Sequence, residues 1–553
     1  MPSLFRTAAT FAAAISLVGC AGLPRDRGYA ETSELIANRR SLPSEWTPLQ
    51  PVASPLLPTS PIGVEDAVRI AFFNNPRLRE EYARLGLGRA DLEDAARLAN
   101  PTFGYLRLSP GGGDGTQITR TLSLGLTDLL LLPARKRLAA AELERLQFAV
   151  AGAVLDIATE TEVAWFEAVG AQQISAMRDL VARAADQSAA LAQRFFDAGN
   201  INRLQLEQER AAATEARIAA MSAGANALRA RHALAALLGL PSDADWRTQA
   251  KLPAPHPTSF NAEDLVALAL ESRLDLAAAH RAVSLREDAL GVSRRWRWLG
   301  SVEIGYERER EFDGSRVSGP SASLALPIFN QGQGAIARAE AELLQTRAEL
   351  DALALAVQND ARLGIDAMEV ARVIAERYRT ELVPRREAIV ARTQEEVNFM
   401  LVGVFELLLV KQQEYDAYQA YLEAVRDYWV ARAELRGAVG GRLPDDGSPM
   451  ESTIGVEAIL PSPDAPAMDH SAHGGDADDP HAGHHMPEAT SAPDPHAGHS
   501  MPNSPAKPVP DAEAKHHSEG AEGPEPSAPR ERKAEKVHED DHSHEHHDHG
   551  DTP

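Results

Sequence analysis

Cysteine is almost missing from this sequence: Cys20 is the only one in 553 residues. No disulfide can form within the chain, and a thiol-based catalytic site finds little support. Aromatic residues are also sparse, at 5%, too few for a thick globular core. The body offers no run of about 18 uncharged apolar residues, so none of its helices is expected to span a membrane. Excess positive charge is absent as well. The formal charge is −24, which argues against nucleic acid as a partner. Outside the C-terminal fifth the only histidines are His232, His256 and His280. They are isolated and read as surface or packing residues. With no nucleophile–base set and no G-x-x-x-x-G-K loop, an enzyme is not expected and no cofactor is required.

What the chain does have is Ala, Leu, Glu, Arg and Gln in long stretches, the composition of extended helices. Its length would permit three or four average domains. Acidity is concentrated at one end: from Asp445 onward there are 24 acidic and 6 basic residues, so −18 of the −24 lies there. The first residues read as a secretory signal, with Arg6, an apolar run from Ala8 to Val18, and then Leu17-Val18-Gly19-Cys20. That tetrapeptide resembles the lipobox of bacterial lipoproteins, which implies removal of residues 1–19 and acylation of Cys20. Ala21 in place of Asp is the pattern that favours the outer membrane. Such an anchor holds a protein to lipid without spanning it. Residues 20–60, rich in Pro and Ser, read as the acylated terminus and a linker.

The body repeats itself with a period near 200 residues. Glu65-Asp66-Ala67-Val68 answers to Glu263-Asp264-Leu265-Val266, Leu124-Gly125-Leu126 to Leu324-Ala325-Leu326, and Ala198-Gly199 to Val402-Gly403. Two units follow, 61–250 and 251–443. Each opens with a helix (Val64 to Leu98; Ala262 to Ser293). Two alternating stretches then flank a turn-rich loop: Thr102 to Leu108 and Gln117 to Leu126, and Ser301 to Arg308 and Val317 to Leu326. In the second stretch, Ile118, Leu122, Leu124 and Leu126 share a side with Arg120. Val302, Ile304 and Tyr306 alternate with Glu303, Gly305 and Glu307. Pro133 and Pro327 mark the starts of long helical runs, and Pro384 should kink the second. Gly199 and Gly403 interrupt before helices return. The returning helices carry heptad rows, Leu204, Ala211, Ile218 and Ala225 in one, and Val404, Leu408, Tyr415, Tyr418, Leu422, Val425 and Trp429 in the other.

Strands with one apolar and one polar face suit a membrane barrel, yet four strands cannot close one. Either several chains share a barrel, or the hairpins pad a small sheet in a periplasmic protein. The order helix, strand pair, long helix, glycine tip and returning helix resembles the outer-membrane factor (TolC-like) family over about residues 60 to 440. Leu326-Pro327-Ile328-Phe329-Asn330-Gln331-Gly332 resembles that family's strand-to-helix junction. Thr127 to Pro133 in the first unit lacks the Phe-x-x-Gly part. The resemblance implies a mainly α fold with a small β part, in which duplicated helical hairpins form a periplasmic α-barrel. It further implies a homotrimer sharing one transmembrane β-barrel. Partners would be outer-membrane lipid, a periplasmic adaptor protein docking at the Gly199 and Gly403 tips, and an inner-membrane pump of the resistance-nodulation-division type.

The tail, 444–553, is acidic, low in apolar content and expected to be disordered. Fifteen of the 18 histidines lie in it. Met468, His470 and His473 precede two copies of a motif, His481, His484, His485 and Met486, then His496, His499 and Met501. His542, His544, His546, His547 and His549 close the chain. Imidazole suits Cu, Zn and Ni, and thioether favours Cu(I), so this tail is expected to bind Cu, Zn or similar ions with low geometric selectivity. Three functions remain open: the outer-membrane duct of a heavy-metal efflux system, a drug or protein exporter with the same architecture, and a metal-buffering lipoprotein without a pore.

Overall fold

The computed structural model describes residues 29–40, 61–109, 111–112, 115–241, 243–255 and 260–444. Helix α1 (Tyr29–Ala37) precedes two similar halves. The first half runs α2 (Val64–Asn74), α3 (Pro76–Ala95), β1 (Thr102–Leu108), β2 (Gln117–Gly125), α4 (Leu126–Asp197) and α5 (Arg203–Leu237). The second runs α6 (Ala262–Ser272), α7 (Leu274–Trp296), β3 (Val302–Arg310), β4 (Arg316–Leu324), α8 (Gln333–Arg377), a π-helical turn (Tyr378–Leu382), α9 (Val383–Asn398) and α10 (Val404–Ala438).

The opening helix expected in each half is in fact two helices. Pro76 has no N–H and disfavours helical backbone at the residue before it. Asn75 is accordingly extended (φ −63°, ψ 119°) and its side chain accepts from the Arg77 N–H. In the second half Arg273 takes the same conformation (φ −67°, ψ 126°) with no proline after it. An ion pair recurs beside each break: Arg77 to Glu160 at 2.6 Å and Arg273 to Asp360 at 3.7 Å. Burial alone would lift the Asp275 carboxyl, but the hydrogen bond and charge of Arg273 outweigh it and hold that group below the ordinary range.

Pro133 does not open the first long helix. That helix starts at Leu126, directly after the strand, and runs 72 residues through Pro133, about 108 Å at 1.5 Å per residue. Arg135 Nη2 donates to the Asp128 carbonyl at 2.9 Å, close to the turn that the proline deprives of a donor. Nor does Pro327 open the second. Residues 325–332 are non-helical, Gly332 adopts φ +77°, and α8 begins at Gln333. The Asn330 side chain accepts from the Gly332 N–H there. At Pro384 the expected kink is the π-helical turn just before it.

The four strands form one antiparallel sheet in the order β1-β2-β3-β4. β2 and β3 join the two halves, from Ile118 opposite Arg310 to Gly125 opposite Glu303. The strand limits shift slightly from those expected: β2 ends at Gly125, β3 reaches Arg310, and β4 covers Arg316–Leu324.

The largest core lies where α4 and α10 meet. Phe166 stacks on Trp429 with ring centroids 5.3 Å apart. Two indoles fasten the connecting segments: Trp165 donates to the Ile62 carbonyl at 3.0 Å and Trp429 to the Pro253 carbonyl at 2.8 Å. Gly170 lets the helices close up, since a Cβ there would sit 2.9 Å from Arg426 Cγ.

Candidate channel wall and helical tips

The pairing register sorts the sheet into two unlike faces, because directly opposed residues share a side. Five successive rows make up one face. Nearest the hairpin loops lie Arg107, Ile118, Arg310 and Arg316, then Tyr105, Arg120, Arg308 and Ser318. Below them come Phe103, Leu122, Tyr306 and Pro320, then Leu124, Ile304 and Ala322, then Val302 and Leu324. The lower three rows are wholly apolar except for the Tyr306 hydroxyl. On the opposite face Thr119, Thr121 and Ser123 lie with Glu303, Glu307, Glu309, Ser321 and Ser323, joined near the hairpin loops by Leu106, Leu108 and Val317. Gln117 Nε2 donates to Glu309 there. Both edges, β1 and β4, are unpaired within the sheet.

The two hairpin tips are built alike but not from the residues the sequence equated. After α4 the Asn200 N–H reaches back to the Phe195 carbonyl (2.8 Å) and Gly199 takes φ +76°. After α9 the Leu401 N–H reaches the Glu396 carbonyl (2.9 Å), and the left-handed residue is Met400, at φ +58°. Both are Schellman ends, in which a left-handed residue lets orphan carbonyls find donors. Met400 therefore corresponds to Gly199. Gly403 instead caps α10 with extended backbone (φ −81°, ψ 154°), the place Asn202 holds before α5. Asn202 and Gln205 form a reciprocal capping box; Gly403 has no side chain to do so. Phe399, Met400 and Leu401 are all strongly exposed, Met400 at 92%. A non-glycine residue in this region is strained by about 1 kcal/mol, so Met400→Gly should raise the melting temperature slightly. A fall in a thermal melt would mean that the Met side chain holds the tip together.

The heptad row read on α5 lies outside the core. Leu204, Ala211, Ile218 and Ala225 are all exposed, as are Met221 and Leu228 beside them, Met221 at 76%. The row buried within the chain is Leu206, Ala213, Ala220 and Leu234, on a different stripe. α5 thus carries two apolar stripes, and small residues occupy the inner one because α4 approaches closely. α8 likewise exposes Leu344, Leu355, Leu363 and Val370. On α10 the expected seam holds from Tyr415 onward, with Tyr415, Tyr418, Leu422, Val425 and Trp429 buried, whereas Val404 and Leu408 nearer the tip are only half-buried.

The sequence reading passed over Glu162, which is fully buried on α4. Arg436 Nη1 of α10 donates to its Oε1 at 2.6 Å, and Arg40, just beyond α1, donates to the same atom. The Arg39 guanidinium meanwhile donates to the Ser272 carbonyl at 3.0 Å. One carboxylate therefore ties the N-terminal segment to both long helices. Its signal was an acid within the apolar stripe of Ala158, Trp165 and Val169.

Cys20, Met468, Met486, Met501 and every tail histidine lie outside the described residues, as does His256. His232 and His280 are exposed. Among the described residues no group of three or more His, Cys, Asp or Glu could hold a metal ion, and no helix is long and apolar enough to cross a membrane.

No protein-family model matches the chain, and no curated protein sequence does. Solved structures do. The Campylobacter jejuni CmeC outer membrane channel superposes with a TM-score of 0.60 at 14% identity, over 72% of this chain and 92% of that one. CusC, described in terms of folding and transmembrane channel formation, gives 0.59 at 16%, over 73% and 98%. The open-state MtrE outer membrane channel of Neisseria gonorrhoeae gives 0.58 at 16%, over 68% and 89%. The two-faced sheet and paired long hairpins of this chain are the fold of these outer-membrane channels.

Proposed function

We propose that the chain is the outer-membrane exit duct of a tripartite efflux pump and performs no chemistry itself. One observation carries this: a four-stranded sheet, one face apolar over its three lower rows and the other mostly polar, with both edges open. In a bilayer every backbone donor and acceptor must be paired, so such a sheet is viable only when closed. Four strands are too few, and three copies give a twelve-stranded barrel within the known range. The uncovered apolar stripes on α5 and α8 then pack between neighbouring protomers. Helices about 100 Å long extend the barrel through the periplasm, and the Gly199 and Gly403 tips meet an adaptor and, through it, an inner-membrane pump of the resistance-nodulation-division type.

We assign heavy-metal ions, copper foremost, as the cargo. The His- and Met-rich tail supports this, and so does the polar sheet face, whose Glu303, Glu307 and Glu309 favour cations. A deletion strain should lose tolerance to Cu, Ag, Zn, Co, Cd or Ni. Raised antibiotic sensitivity with unchanged metal tolerance would point to drug export instead. Conductance in planar bilayers tests the duct itself, and a purified oligomer that never conducts rejects it.

Acylation at Cys20 would hold each protomer to the membrane. Mass spectrometry of the membrane form should show loss of residues 1–19 and added acyl mass, both abolished by Cys20→Ser. The segments 109–116 and 311–316, joining the strand pairs, are expected outside the cell. Epitope tags there should be reachable on intact cells, and labelling only after outer-membrane rupture would reverse the topology.

A further inference from the structure

We propose that the arginine rows at the hairpin end of the sheet bind a lipid headgroup carrying more than one phosphate, in the outer leaflet of the membrane. This rests on the duct reading, which places the apolar face against lipid and the hairpin loops outside the cell.

Arg107, Arg120, Arg308, Arg310 and Arg316 are all exposed and share one face of the sheet. Two of the cross-strand pairs set like charges directly opposite, Arg120 against Arg308 and Arg310 against Arg316. Such pairs are destabilising unless something neutralises them. That face carries no acid: the strand glutamates Glu303, Glu307 and Glu309 belong to the other side. Ion pairs elsewhere in the described residues are numerous, but none includes these five arginines. Nothing among the described residues neutralises them, which leaves the place to an anion from outside the chain.

The order of the rows says what kind of anion fits. An arginine on the lipid face costs about 2–4 kcal/mol at the bilayer midplane and little near the interface. The two arginine rows therefore mark the interfacial level. Tyr105 and Tyr306 stand at the boundary with the apolar rows, where amphipathic rings settle. Successive same-face rows are about 7 Å apart and neighbouring strands about 4.8 Å. A molecule with phosphates at its head and acyl chains below would contact both zones at once. An acidic protein would leave the apolar rows uncovered, and a free phosphate ion would use none of them. Guanidinium groups suit this ligand because they grip phosphate oxygens in pairs.

The test uses the full chain in phosphatidylcholine nanodiscs, with diphosphoryl lipid A as probe and fully dephosphorylated lipid A of the same acyl chains as its comparison. Retention is read by native mass spectrometry. The diphosphoryl form should bind about tenfold or more tighter, the weight of at least one charge-assisted contact. Changing all five arginines to Gln should erase that difference, changing them to Lys should keep much of it, and Arg310→Gln with Arg316→Gln should weaken it part-way. Equal binding of the two lipids, or full retention by the Gln variant, would overturn the inference. Conductance of the same samples separates the two readings. A wild-type channel that conducts without phosphate preference sinks this inference alone, whereas one that neither inserts nor conducts removes the duct reading and this inference together.

Discussion

Replacing Glu162 by alanine is expected to destabilise the chain by about 3–5 kcal/mol, the usual result of removing one partner from a buried ionic cluster. Arg436 and Arg40 both donate to Glu162, whose side chain has no solvent exposure. Without it, two guanidinium groups face each other with most of each side chain buried. Large chains tend to unfold irreversibly, so the effect should be read as a melting temperature or a half-life at fixed temperature. A fall of roughly 5 °C is expected. Glu162→Gln keeps acceptor geometry but no charge, and should fall between wild type and alanine. Changing Arg40 to Met, Glu162 to Leu and Arg436 to Met together should recover much of the loss, since apolar replacement of a whole buried cluster is often neutral. A shift of only a degree or two in the alanine variant would show that the cluster contributes little. Limited proteolysis offers an independent reading, because freeing Arg40 should loosen α1 from α4 and α6.

Truncation after Leu443 is expected to remove most metal binding while the oligomeric duct still assembles. Fifteen of 18 histidines go with the tail, and the described residues contain no alternative cluster of ligands. Isothermal titration with Cu and Zn on the full and truncated chains should show the loss directly. Ions must displace protons from imidazoles, whose ordinary pKa is about 6.5, so binding by the full chain should weaken below roughly pH 6. Metal tolerance should fall only in part, because the tail would concentrate or buffer ions without forming the path. A β-branched residue at Gly199 should abolish tolerance, since φ +76° is closed to it. If the truncated chain binds as many ions as the full one, the tail is not the metal site and the choice of cargo loses its main support.

The parts legible in the sequence were those with a strong local period. Alternation marked all four strands to within about two residues, and the α10 seam survived because large aromatics can pack only one way. Proline misled in two opposite directions. Pro133 is tolerated inside a helix, near its start, and Pro327 is followed by a further loop. The outer row on α5 was chosen for its large residues, while alanines took the inner stripe because helix approach, invisible in one segment, decides side-chain size. Equating Gly199 with Gly403 was a natural error of composition. Conformation makes Met400 the counterpart, and a strained methionine leaves no trace in a sequence pattern. The arginine rows were hidden too, since Arg120 was seen among leucines but its neighbours depend on strand register. Glu162 needed three separate segments to converge on one carboxylate.

The π-helical turn at Tyr378–Leu382 acts as a phase shifter. Its hydrogen bond runs from the Val383 N–H to the Tyr378 carbonyl, five residues back, which leaves room for the ring of Pro384. One extra residue in the turn rotates everything downstream by about 100°, the angular step of a single residue. That rotation brings Arg386 within 2.6 Å of Gln413 on α10 and lets the Tyr418 hydroxyl donate to Glu387. A uniform α-helix through the same stretch would swing both groups away from α10. A heptad count carried from α8 into α9 therefore slips by one place. Both segments pack against α10, but each turns a different stripe toward it, although the two read as one helix.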